Sequence, residues 1–128
     1  IDLDTVMPSF IFSDYGDFLR TAANATREDD PDIDHVSLRW DVVESFTKGY
    51  IEGTHHFLLP IERELLPFAM QLFPYMQCVR FLTDYINGDT YYKTTYPAHN
   101  LDRARNQYRL FELTLAGQDR LQHFIDTL

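Results

Sequence analysis

Two acidic side chains stand at the head of the chain, Asp2 and Asp4 in the run Ile1-Asp2-Leu3-Asp4-Thr5. The run reads as a short strand, and alternation along a strand puts both carboxylates on one face. Paired hard oxygen ligands suit Mg2+, which takes one or two carboxylates together with phosphate oxygens and water. A carboxylate at the end of a buried strand is costly unless it meets a metal, a positive partner or water. Solvated acids at a strand end are the plainer reading of the same pattern. The chain begins without a methionine inside this apolar run, and we read it as the carboxy-terminal piece of a larger protein.

Other constellations attract attention and resolve into ordinary structure. Asp30, Asp32, Asp34 and Asp41 fall at positions one, three, five and twelve of a calcium loop. His35 occupies the place of the required glycine, Pro31 stiffens the start, and the last ligand is not Glu, so a solvated acidic loop is expected. The adjacent pair His55-His56 would diverge on a helix and has no Cys or His partner at zinc spacing. Cys78 sits in an apolar run, where a thiol packs as a small hydrophobe. The alternating charges of LDRARNQYR read as a solvated helix face. Arg80 and Asp84 have the i,i+4 spacing of a helical ion pair.

The elements that must position these residues are nearly all helical. The leading strand passes into a loop at Pro8 and Ser9. A helix is expected over 14–25 with Asp14 as its cap, and Thr26 to His35 reads as a polar surface loop. A second helix is expected over about 37–57, capped by Ser37. Gly49 and Gly53, four apart on it, predict close packing of another helix. A third helical region starts at Pro60 and ends at Asn87-Gly88, with Pro67 and Pro74 expected to kink or split it. The segment DTYYKTTYP over 89–97 is a tyrosine-rich loop, and Asn100 is expected to cap a final helix over 101–127. The expected fold class is therefore mainly α, with one short leading strand.

Composition narrows the functions. The 128 residues are 45% hydrophobic and 15% aromatic, enough for one globular domain. Net charge is -9, which disfavours nucleic acid and anionic membrane as partners, since both need clustered Lys and Arg. No run of apolar residues is long enough to span a bilayer. A single buried cysteine fits a reducing compartment, so a cytoplasmic location is expected.

Ile1-Asp2, followed after twelve residues by Asp14 in SDYGDFLR, resembles the aminoglycoside-phosphotransferase-like kinases, whose fold is related to protein kinases. In that family the Asp of an Ile-Asp pair binds the Mg2+ of ATP, as the DFG aspartate does in protein kinases. The resemblance implies that Asp2 is the metal ligand, with Asp4 and Asp14 in support. Tyr15 and Gly16 depart from the family phrase, where Leu and Ala are commoner. Further along, IDLDTVMP, FTKGYIEG, RFLTDYINGDTYYK and YPAHNLDRARNQ together resemble the N-acetylhexosamine 1-kinase branch, which phosphorylates the anomeric hydroxyl of an N-acetylhexosamine with ATP. The likeness extends over almost the whole chain. It implies the helical part of the carboxy-terminal lobe of a kinase-like fold, with Arg80 and Tyr91 holding the sugar. A guanidinium donates paired hydrogen bonds to sugar oxygens, and a tyrosine covers an apolar sugar face while offering its hydroxyl. Packing among Tyr85, Tyr92 and Tyr96 is the plainer role for Tyr91. No H-x-D phrase occurs, so the catalytic loop such a kinase needs is expected elsewhere, and no catalytic residue is assigned here. A kinase of another small alcohol or aminoglycoside, and a non-catalytic helical interaction domain, are the alternative readings.

Overall fold

The structure, a computed structural model, describes residues 6–128. The described chain is helical: α1 Phe12–Ala22, a 3-10 turn Ile33–His35, α2 Trp40–Thr54, α3 Pro60–Glu64, α4 Leu66–Ile86, α5 His99–Ala116 and α6 Gln118–Asp126. The expected leading strand, with Asp2 and Asp4, lies outside the described residues. Val6 to Phe10 are exposed and belong to no helix or strand.

Local chemistry explains where the helix ends differ from expectation. Ile11 holds the cap position of α1, so Asp14 is not a cap but a first-turn acid, which the positive end of the helix favours. The second helix starts at Trp40 rather than Ser37 because the chain before it is paired elsewhere. Ala25 N–H donates to Ser37 O, and Arg39 N–H donates to Ala23 O, across an isolated bridge between Asn24 and Leu38. Arg39 is consequently extended, with φ -81° and ψ 91°.

The proline-containing region breaks once, at Leu65, between α3 and α4. Pro67 follows in the first turn of α4, where its missing N–H leaves nothing unsatisfied. Pro74 lies inside α4, which is not split there and continues to Ile86. The single helix expected over 101–127 divides at the buried Gly117. A Cβ built on Gly117 would stand 2.5 Å from the Trp40 ring, so the aromatic edge occupies the space a side chain would need. Arg120, one turn further, places its guanidinium 4.2 Å from the Trp40 ring centroid.

One apolar cluster joins four of these helices: Tyr15 and Leu19 of α1, Val43 and Ile51 of α2, Leu66, Ala69 and Met70 of α4, and Leu121 and Ile125 of α6. Gly16 permits the tightest crossing, between α1 and α4. Its Cβ would lie 2.5 Å from the carbonyl oxygen of Ala69. By contrast, Gly49 and Gly53 are exposed with nothing within 4 Å, so the close helix packing expected there does not occur among the described residues. A smaller cluster of Cys78, Phe81 and Ala104, with Tyr92 packed on it, ties the later half of α4 to α5. No described helix is long and apolar enough to cross a membrane.

Candidate functional site

Arg80 and Tyr91, eleven residues apart in sequence, line one cleft of about 370 Å³. The last turns of α4 supply one wall with Val79, Arg80 and Thr83, joined by Asn87 at the helix end. The tyrosine-rich loop supplies the other with Thr90, Tyr91 and Tyr92. The Arg80 guanidinium carbon lies 5.9 Å from the Tyr91 ring centroid and 5.6 Å from that of Tyr92, within cation–π range of both. Tyr91 is 74% exposed. Tyr92 packs edge-on against it at 4.8 Å and against Phe81 at 4.7 Å, and its hydroxyl accepts from Gln77 Nε2 at 3.1 Å. Packing therefore holds Tyr92, whereas Tyr91 presents its ring to the cleft. The i,i+4 ion pair between Arg80 and Asp84 does not form. Among the described residues Arg80 has no ion pair at all, and its N–H groups are available to a ligand.

The loop owes its shape to buried polar groups. Asn87-Gly88 ends α4 as the sequence predicts, with Gly88 at φ +87° in the left-handed region that glycine adopts freely. Asp89 follows at φ +58°, which Asp tolerates better than most residues. The chain is thereby turned back over Asp84, which is 5% exposed. The Asp84 carboxylate accepts the N–H groups of Thr90, Tyr91 and Tyr92 at 3.0, 2.8 and 3.0 Å. Asn100 Nδ2 donates to it at 2.8 Å and to Asp89 at 2.9 Å. Arg103 Nη1 then donates to Asn100 Oδ1 at 2.9 Å and to Lys93 O at 3.2 Å. Burial alone would raise the Asp84 pKa. The N–H groups of Tyr92, Tyr91 and Thr90 and the Asn100 amide outweigh it and hold the carboxyl below the ordinary range. Asn100 is thus no helix cap: α5 begins one residue earlier, and its side chain belongs to this network.

Asp14 does not face the Arg80–Tyr91 cleft. With Asp17 it lines a second hollow of about 620 Å³, walled by residues of the 6–11 segment and by Phe73. Asp2 and Asp4, the expected metal ligand and its helper, are outside the described residues. Among those described, no three His, Cys, Asp or Glu residues are grouped to hold a metal ion.

The remaining constellations behave as structure. Asp30 and Asp32 accept the backbone N–H groups of Asp32 and Asp34 at 2.9 and 3.1 Å, and His35 leans on both acids. These contacts form a self-capped turn. His55 and His56 are exposed and stack on one another at 3.6 Å. Burial pushes the Cys78 thiol up, which suits packing rather than reactivity. The phrase LDRARNQYR is only partly a solvated face. Asn106, fully buried, donates to Arg27 O at 3.0 Å and accepts from Asn24 Nδ2 at 3.0 Å, fastening the acidic loop to α5.

No motif marks His99 in the sequence, yet it is a 4%-exposed residue whose Nε2 lies 3.2 Å from Asp29. Burial would raise the Asp29 pKa, but the bonds from His99 and Arg27 lower it overall. Thr95, Asp29 and His99 together mimic a nucleophilic triad, with Thr95 Oγ1 at 3.4 Å from His99 Nδ1. The Thr95 backbone N–H, at 3.1 Å, already occupies that nitrogen's lone pair, so the imidazole has no basic position free. The network of Asp84 and Asn100 likewise has no mark in the sequence, since its bonds depend on how the loop folds back over α4. No protein-family model matches the chain.

Proposed function

We propose that these 128 residues supply the acceptor-binding part of an ATP-dependent sugar kinase that phosphorylates the anomeric hydroxyl of an N-acetylhexosamine. One observation carries the reading. Arg80 and Tyr91, singled out by resemblance as sugar-holding residues, share one cleft at 5.9 Å with the Arg80 hydrogen-bond donors uncommitted. A planar guanidinium beside an exposed aromatic ring is equipped for a sugar: donors for hydroxyl and acetyl oxygens, and a flat face for the C–H side of the ring. Asp2 as ligand of the Mg2+ on ATP belongs to the same proposal, with Asp4 and Asp14 as helpers, and rests on the resemblance alone. The catalytic carboxylate is assigned to no residue of this sequence.

The geometry also bears on the rival acceptors. A cationic alcohol such as choline or an aminoglycoside would seek the Tyr91 and Tyr92 faces, where Arg80 already sits as a like charge. A neutral sugar meets no such repulsion. The non-catalytic reading draws on a different observation, the exposure of Phe68, Tyr75, Val79 and Ile86 along α4, which a partner could cover.

Calorimetric titration of the chain with N-acetylglucosamine, N-acetylgalactosamine and choline tests the proposal. Binding of either hexosamine, weakened at least tenfold by Arg80→Ala and by Tyr91→Ala, is expected. Binding of choline without the hexosamines would overturn it. The chain alone is expected to show no sugar-dependent ATP turnover, and measurable turnover would overturn the assignment of catalysis elsewhere.

A further inference from the structure

We infer that Asp84 is the positioning residue of the Arg80–Tyr91 cleft, setting the place of both tyrosine rings through three backbone N–H groups while touching no ligand itself. The identity of the ligand rests on the proposed function; the positioning does not.

Asp84 looks like a binding or catalytic acid, since it borders the cleft beside Arg80. Its oxygens are nevertheless fully committed. Oδ1 accepts from Thr90 N and Tyr91 N, with the Thr90 hydroxyl at 3.5 Å; Oδ2 accepts from Tyr92 N and Asn100 Nδ2. A carboxylate offers about four lone-pair directions, so a sugar hydroxyl would find none left. What the carboxylate does instead is orient peptide planes. Fixing the N–H groups of residues 91 and 92 fixes the directions in which both tyrosine side chains leave the backbone. Bonds to an ionised acceptor are short and strong, which suits them to holding a loop that lacks regular structure.

Two helices share the task. Asn100 on α5 bridges Asp84 and Asp89 with one amide nitrogen, and Arg103 ties Asn100 to Lys93 O. The first half of the loop is therefore held at residue 89, at residues 90–92 and at residue 93. A consequence reaches Arg80. With Asp84 engaged by the loop, Arg80 lies over the two rings instead of pairing one turn along its own helix. Commitment of Asp84 thus leaves the guanidinium for the ligand.

The test is an acid titration of the isotopically labelled chain followed by amide NMR, together with contacts between the Arg80 side chain and the two tyrosine rings. The amides of Thr90, Tyr91 and Tyr92 are expected to shift together, with one midpoint below the ordinary Asp value of 3.8. Asp84→Asn should abolish that shared shift, lose the Arg80–ring contacts, and confine lost amide protection to residues 89–93. Independent titration of the three amides, or retention of the ring contacts in Asp84→Asn, would overturn the proposal. Loss of protection spread evenly over α4 and α5 would do so too, since it marks a residue that only stabilises the fold. The wild-type titration decides the matter even where the variant does not fold. N-acetylglucosamine then separates the two readings. If it binds, Asp84→Asn should raise Kd at least tenfold at neutral pH, and an unchanged Kd would overturn positioning. If it does not bind wild type, the acceptor assignment falls while the amide titration still decides the role of Asp84.

Discussion

The two ends of α4 organise what surrounds them by opposite chemistry, although apolar packing on α5 also holds its later half. Its first turns, Leu66, Ala69 and Met70, are packed into an apolar cluster with α1, α2 and α6. Its last turns carry Asp84, whose carboxylate organises the following loop through hydrogen bonds. Apolar packing is non-directional and depends on filled volume, so it unites helices without dictating a backbone path. A buried carboxylate is directional and penalises every unmade bond, so it selects one loop conformation. The molecule uses the first device for the body of the fold and the second for the path of the tyrosine-rich loop.

The sharpest way to break the first half is Leu19→Ala. Leu19 is 1% exposed in the apolar cluster, and the variant should lose about 2–5 kcal/mol of unfolding free energy in urea. A loss below about 0.5 kcal/mol, the range of ordinary surface substitutions, would deny that the cluster carries the fold. Gly16→Ala should come next. Its methyl meets the Ala69 carbonyl and forces α1 from α4, at a cost of about 1–3 kcal/mol. Gly49→Ala reverses the sign at an exposed helical site with open space around it. It should stabilise by about 0.5–1 kcal/mol, and a destabilised variant would mean a neighbour covers that face.

The second half should respond to pH. The Asp84 carboxyl is depressed in the folded chain, so its contribution is present above 3.8 and is lost as pH falls through the lower folded value. Acidification should release residues 89–93 while the amides around Leu19, Leu66 and Leu121 stay protected. Simultaneous loss in both regions would erase the distinction between them.

Much of this division was legible in advance and part of it was not. Helix content followed from spacing at Phe18, Leu19 and Ala22 and from Val43, Phe46 and Tyr50, since periodicity records which face must leave water. The stop at Asn87-Gly88 followed from backbone freedom at glycine. The start of α2 did not, because Ser37 and Arg39 are bound to Ala25 and Ala23 before the helix can claim them. Nor did the break at Gly117, where the missing side chain answers to the Trp40 ring seventy-seven residues away in sequence. The Gly49 and Gly53 spacing misled because two small residues fit an exposed face as easily as a crossing.

At the candidate site the same boundary holds. From sequence, Arg80 and Tyr91 could be named by resemblance, and Arg80 with Asp84 by helical spacing. Residue type and local period contain that information, because they describe what a side chain can do and which neighbours share its turn. That Asp84 turns toward the loop, that Asn100 joins it rather than capping a helix, and that Arg80 lies over two rings were settled by the packing of α4 against α5. Competition for one carboxylate among backbone N–H groups, an amide and a guanidinium is decided by distance and burial, and these exist only once the chain has folded.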